Sequence, residues 1–209
     1  MSKNLVELVF IVDRSGSMQN IASDMEGAIK ATLEDQKKSH NEKVMVTFVR
    51  FDNEIEEVVS GLPIEEIGNI SIQPRGMTAL LDAMGTTISN FKNKFLAKDE
   101  KDRPKRTLFI IITDGFENAS KEYKRTSVFN LVEECKKNYD WGFTFIGANQ
   151  DSIKEGSSLG VSKGSSLNYE ASSDGVRVMA RSMSDFTCSY LSGIDTKFHS
   201  ENDSSDVEE

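Results

Sequence analysis

The sequence predicts a doubly wound α/β fold: a mostly parallel central sheet of about six strands, helices on both faces, and one short antiparallel strand at the edge. Three observations predict it. Short apolar runs such as Leu5 to Val12 and Thr107 to Thr113 are rich in β-branched residues and nearly free of charge, as strands buried on both faces must be. Amphipathic stretches of helical period alternate with these runs. The runs end in loops carrying Asp, Ser and Gly, where a parallel sheet places its ligand sites.

Taken in order, Leu5 to Val12 is a buried strand in which only Glu7 is charged. Gln19 to Lys38 reads as a helix, with Ile21, Met25, Ala28, Ile29 and Leu33 on one face. Lys43 to Phe51 is the second strand, with Val44, Val46, Phe48 and Phe51 inward. Asn53 to Ser60 reads as its antiparallel edge partner, since Glu54, Glu56 and Glu57 suit a solvated edge. Leu62 to Ser71 is a connector holding at most a helical turn. Leu81, Met84, Ile88, Phe91 and Phe95 step by 3, 4, 3 and 4, which predicts an amphipathic helix from Thr78 to Ala97. A charged loop, Lys98 to Arg106, leads into the central strand Thr107 to Thr113. Tyr123 to Asn138 is a helix, Gly142 to Gly147 a strand, and Asp151 to Leu159 a short helix capped by Asp151. Ser165 to Tyr169 is a small last strand. Ser173 to Leu191 is the final helix, ended by Gly193, with Val176, Met179, Ala180, Met183, Phe186 and Tyr190 on its apolar face.

The 209 residues suit one domain, placed at 1–194, with an acidic tail at 195–209 that is too polar to bury a core of its own. The net charge is −9, and the tail alone holds six acids against one base. No basic patch is evident to neutralise phosphates, so a nucleic-acid partner is not expected. No apolar run reaches the roughly 18 residues of a membrane span, and neither a leader-like N-terminus nor a myristoylation glycine is present. Cys135 and Cys188 lie in helical stretches and read as reduced. The expected location is cytoplasmic.

The chemistry concentrates in three places. Asp13, Ser15 and Ser17 crowd a carboxylate and two hydroxyls into five residues as the first strand ends. Thr78 follows Gly76 at the mouth of the helix it opens, and Asp114 ends the central strand just before Gly115. Each has a plain structural reading: an Asx or Ser turn, a helix N-cap, and an Asp-Gly turn. Together they form an oxygen-only donor set at strand carboxyl ends, which suits hard cations such as Mg²⁺ and Mn²⁺.

With those pieces the chain resembles the von Willebrand factor A domains, also found as integrin I domains, over Leu5 to Leu191. Asp13, Ser15, Ser17, Thr78 and Asp114 match all five positions of that family's metal-ion-dependent adhesion site in order and rough spacing. The resemblance implies a protein-binding module. Its cation, Mg²⁺ with Mn²⁺ or Ca²⁺ as alternatives, would take an Asp or Glu carboxylate from a partner protein. Adjacency in the chain to those five residues places Arg14, Met18, Gly76, Met77, Gly115, Phe116 and Glu117 at the expected partner-facing rim. For Met18 and Met77, packing under the loops is an equal alternative, and Glu117 reads also as a solvated loop acid. In some relatives the last helix slides when the site engages a ligand. The layout resembles the stand-alone cytoplasmic A domains of bacteria and phages, some of which work in AAA+ ATPase-associated systems.

Two rival classes are weaker. A metal-dependent hydrolase or phosphatase needs a general base, and His40 and His199 are not placed as one; no phosphate loop or nucleophile elbow is present. A scaffold whose cation only ties loops together would melt in a metal-dependent way without binding a partner in a metal-dependent way.

Overall fold

The computed structural model describes residues 2–39, 42–148, 151–194 and 197–198. Its sheet has six strands: β1 (Ser2–Asp13), β2 (Lys43–Phe51), β3 (Ile55–Pro63), β4 (Pro104–Thr113), β5 (Gly142–Ala148) and β6 (Ser166–Tyr169). They lie in the order β3-β2-β1-β4-β5-β6. Every pairing is parallel except β2 with β3, which is antiparallel at the edge. Five α-helices cover the two faces: α1 (Ala22–Ser39), α2 (Leu80–Ala97), α3 (Arg125–Tyr139), α4 (Ser152–Ser158) and α5 (Ser173–Leu191).

The strands form because their residues are apolar on both sides. On β1, Val6, Leu8, Phe10 and Val12 turn to one face and pack with Met25 and Ile29 of α1 and with Met179, Met183 and Phe186 of α5. Val9 and Ile11 turn to the other face and pack with Met84, Ile88 and Phe91 of α2 and Val128 and Val132 of α3. An aromatic cluster closes that second core: Trp141 touches Phe91, Phe95, Phe109 and Tyr139 with ring centroids 5.1–5.4 Å apart.

Several boundaries differ from the sequence expectation, each for a local reason. β4 starts at Pro104 rather than Thr107, because a proline can open a strand without losing a ladder hydrogen bond. β3 runs to Pro63, three residues past Ser60, and carries register shifts opposite Val46 and Phe48. The stretch expected to open the first helix is a 3-10 turn, Gly16–Asn20, before α1 begins at Ala22. α3 starts at Arg125, not Tyr123, because Asp82 of α2 accepts from the backbone N–H of Lys121, Glu122 and Tyr123 and holds them off the helix. α5 has the expected bounds, and Gly193 after it takes φ +80°.

Asp151 caps α4 as expected, accepting from Lys154 N at 3.0 Å. Replacing it with Ala should cost about 1 kcal/mol, read as a shifted urea midpoint at unchanged slope. Both cysteines are free, Cys135 buried and Cys188 half-buried. His40, His199 and most of the 195–209 tail lie outside the described residues. Within that stretch Phe198 stacks on Phe186 at 4.4 Å, and its N–H donates to Gly164 O.

Candidate metal centre

In the sheet order, β1 has β2 on one side and β4 on the other, and the helices that follow β1 and β4 lie on opposite faces. This is the switch point of the sheet, where the loops part and leave a crevice at the carboxyl ends. Asp13 ends β1, and Asp114 follows Thr113 at the end of β4. Val12 pairs with Ile112, so Asp13 and Thr113 stand level across the two strands. The Thr113 hydroxyl donates to Asp13 Oδ2 at 2.6 Å, and Ser15 N donates to Asp13 Oδ1 at 2.6 Å.

The hydroxyls meet the carboxylates. Ser15 Oγ lies 3.0 Å from Ser17 Oγ, and Ser17 Oγ donates to Asp114 Oδ1 at 2.6 Å. Thr78 reaches the same point from the start of α2. A Cβ on Gly115 would stand 3.0 Å from Thr78 Oγ1, 3.6 Å from Ser17 Oγ and 3.8 Å from Asp13 Oδ2. Gly115 is therefore a close approach between three of the five side chains. Asp13, Ser15 and Thr78 are almost fully buried, Asp114 is 7% exposed, and Ser17 stands at the surface.

The plain structural readings of these residues are met by other groups. Ser15 precedes the Gly16–Asn20 turn but caps nothing with its side chain. Thr78 does not cap α2 either, because Ala79 holds that position without a side-chain bond. The first free N–H groups of α2 go instead to Glu117, which accepts from Leu81 N, and to Ser120, which accepts from Asp82 N. The Asx turn is real, since Asp13 Oδ1 holds Ser15 N, but it leaves both serine hydroxyls facing the crevice.

Burial pushes the Asp13 carboxyl up to about 6, with the charge of Asp114 adding to it and the bonds from Thr113 and Ser15 opposing. Burial also raises Asp114, against the bond from Ser17. Two carboxylates in a desolvated crevice repel each other, and a cation between them relieves both penalties. The donor set, two carboxylates and three hydroxyls, is all oxygen and suits a hard cation; no group of three or more His, Cys, Asp or Glu with metal-holding geometry occurs among the described residues. Oxygens of an octahedral shell at about 2.1 Å from the ion stand about 3 Å apart. That matches the 3.0 Å between the two serine hydroxyls.

The expected rim divides. Met77 and Phe116 are 52% and 65% exposed and flank the crevice. Gly76 is exposed and takes φ +70°, and a Cβ there would fall 2.6 Å from Asn53 Oδ1, so only glycine fits. Gly115 is half-buried beneath them. Arg14 and Met18 do not belong to the rim. Met18 is fully buried in the α1–α5 core, turned inward by the 3-10 turn. Arg14 is 2% exposed, with Nε 3.2 Å from Asp52 and Nη1 2.8 Å from Glu56. Glu117 is half-buried and engaged with backbone, holding the Leu81, Ala119 and Ser120 N–H groups.

Asp52 escapes a reading by motif. It ends no recognisable pattern, yet it ties three loops together. Its Oδ2 meets Arg14 and also Arg75 at 2.7 Å, its O accepts from Ala79 N, and Glu54 N donates to its Oδ1. The backbone adds to the clamp, with Arg75 N donating to Arg14 O and Gly16 N to Gly76 O. The sequence cue is an acid, Asp52, where a strand ends, as with Asp13, but β2 carries Lys43 and Arg50 and so marks it less clearly.

The family model for the von Willebrand factor type A domain matches residues 7–178. No curated protein matches the chain. Among solved structures, it is similar to proximal thread matrix protein 1 from the mussel byssus, whose form "with zinc occupied MIDAS motif" aligns at TM-score 0.62 and 15% identity. That alignment covers 88% of this chain and 46% of the mussel protein, so this chain spans less than half of it. It is also similar to the pilus adhesin SpaC from Lactobacillus rhamnosus GG, at TM-score 0.68, 13% identity, and 91% and 31% coverage. The vWF domain of the type V pili tip protein Mfa5 from Porphyromonas gingivalis aligns at TM-score 0.58 and 12% identity, covering 93% of this chain and 98% of that one. At such identities these structures speak to the fold. No described helix is long and apolar enough to cross a membrane. From the family match across most of its length, the chain belongs to the von Willebrand factor type A domain family.

Proposed function

We propose that the chain is a metal-dependent protein-binding module. Asp13, Ser15, Ser17, Thr78 and Asp114 hold a divalent cation, Mg²⁺ by the hardness of the donors with Mn²⁺ and Ca²⁺ as alternatives. The observation that carries this is that the hydroxyls of Ser15 and Thr78 are not used as helix caps although both residues sit at helix starts. When bound, the cation supplies an electrophilic point for an Asp or Glu carboxylate of a partner protein.

The chain's own residues prepare that point. Ser15, Ser17 and Thr78 offer neutral oxygens, which leave the positive charge under-compensated and open to an outside carboxylate. Asp13 is fixed by Ser15 N and Thr113, so its charge stays beneath the site rather than reaching across it. Glu117 and Asn118 set the start of α2, with Asn118 Oδ1 accepting from Thr78 N at 3.0 Å. Met77 and Phe116 give adaptable apolar surface beside the crevice for the rest of the partner.

A four-arm capture tests this, with wild type and Thr78→Ala as baits, each in Mg²⁺ and in EDTA. A protein retained only by wild type in Mg²⁺ is the expected result. A partner retained equally in all four arms would move the interface away from Thr78 and overturn the reading.

A further inference from the structure

Tyr169 ends β6, is 7% exposed, and its hydroxyl has no hydrogen-bond partner among the described residues. A buried hydroxyl left unpaired costs about 1–3 kcal/mol. Phenylalanine would fill the same space without that cost. Ordered water or an ion is a common partner of such a group.

The register of the sheet places this hydroxyl. Thr113 of β4 pairs with Gly147 of β5, and the next residue, Ala148, pairs with Tyr169. Asp114, Ala148 and Tyr169 therefore stand level at the carboxyl edge of the sheet. With neighbouring strands about 4.8 Å apart, the backbones at Asp114 and Tyr169 are about 10 Å apart. Among the described residues, Ala148 is the one that stands level between them on β5, and an aromatic side chain is long enough to lean across so small a neighbour. The ring belongs to the same core cluster as Val12, Ile112 and Ala148, which lie near the ends of β1, β4 and β5. Burial pushes the phenol above its ordinary range, and the negative charges of Asp114 and Asp13 add to that, so the hydroxyl feels both carboxylates.

We propose that Tyr169 is a positioning residue of the cation site, its hydroxyl holding a water of the cation's hydration shell on the β5 side of Asp114. The proposal rests on the reading of Asp13, Ser15, Ser17, Thr78 and Asp114 as the site of a divalent cation. Mg²⁺ keeps several waters when it binds protein, and a water in its field is a strong donor to a neutral oxygen. The tyrosine gives that water a fixed acceptor at a point where Ala148 offers no polar side chain. Groups placed this way around a bound metal typically contribute about 10–100-fold to its affinity.

The test is calorimetric titration of Mg²⁺ into wild type, Tyr169→Phe and Tyr190→Phe, with melting of each protein in EDTA. Tyr190 is the control, because its hydroxyl donates to Thr107 O and Asp140 O at the opposite end of the sheet. Tyr169→Phe should bind Mg²⁺ about tenfold more weakly and melt in EDTA at or above the wild-type temperature, while Tyr190→Phe keeps the wild-type affinity. Wild-type affinity in Tyr169→Phe would overturn the proposal. So would a lower melting temperature of Tyr169→Phe in EDTA, or its failure to fold, since either means that the hydroxyl has a protein partner. Wild type that binds no Mg²⁺ at all would instead overturn the cation-site reading on which the proposal stands.

Discussion

In EDTA at pH 7, Asp13→Asn is expected to be more stable than wild type by about 1–3 kcal/mol, an unusual sign for a change at a fully buried polar residue. The carboxyl ordinarily titrates near 3.8 and is pushed up to about 6 in the folded chain, chiefly by burial. Between those values the folded state binds more protons than the unfolded state, so stability contributed by this group is present below pH 4 and lost as pH rises through 6. The rise from 3.8 to about 6 corresponds to a loss of about 3 kcal/mol once the group is ionised. Asparagine escapes that loss and still offers an oxygen to one of the two donors, Ser15 N or the Thr113 hydroxyl. Urea titrations from pH 4 to 8 should show the two proteins nearly equal at pH 4, parting between pH 4 and 6 and running parallel above pH 6. Saturating Mg²⁺ should reverse the order at pH 7, because only wild type gains the linkage stabilisation of a bound ion. An Asp13→Asn protein less stable than wild type in EDTA at pH 7 would contradict the account of a carboxylate held at a cost for a cation.

Asp52→Ala should be the most damaging single change outside the core, at about 3–5 kcal/mol. It leaves the Arg14 guanidinium buried beside Glu56 alone, and Glu56 is half-exposed and weak as a counter-charge. It also frees Glu54 N and the Arg75 side chain from the carboxylate that held them. The loop carrying Gly76 and Thr78 then loses its anchor, so protein that still folds should bind Mg²⁺ far more weakly than wild type. Arg75→Ala is the matched control: the Arg75 side chain is itself exposed, and without it the buried Asp52 keeps Arg14 as its counter-charge, so its loss should cost about 1 kcal/mol. Similar losses of stability in the two variants would show that the buried pair of Arg14 and Asp52 contributes little.

Much of this was legible in the sequence because two periodicities and one chemical pattern agree. The uncharged runs ending at Asp13 and Thr113 had to be inner strands, and neighbouring parallel strands must present their last residues on one edge. Thr78 was readable from the helix expected to start at it, which begins two residues later at Leu80. The rim was read by adjacency in the chain, and adjacency fails in a 3-10 turn: Gly16 and Ser17 face solvent while Met18, one residue on, is fully buried. Arg14 failed for another reason. Its burial depends on Asp52 and Glu56, about forty residues away in the sequence, and no local pattern announces such a pairing. Glu117 read as a solvated acid because the N–H groups it caps belong to α2, which starts far before it in the chain. Tyr169 was visible only as the end of a short strand; its place beside Asp114 needs the register of β4, β5 and β6 together.

The most direct test of the central claim is a crystal of the wild-type protein grown with Mn²⁺, measured at the manganese edge. One anomalous peak is expected, about 2.1 Å from Ser15 Oγ, Ser17 Oγ and Thr78 Oγ1, and absent from a Thr78→Ala crystal. A well-ordered crevice without a peak, or a peak held by other side chains, would contradict the assignment of these five residues as the cation site.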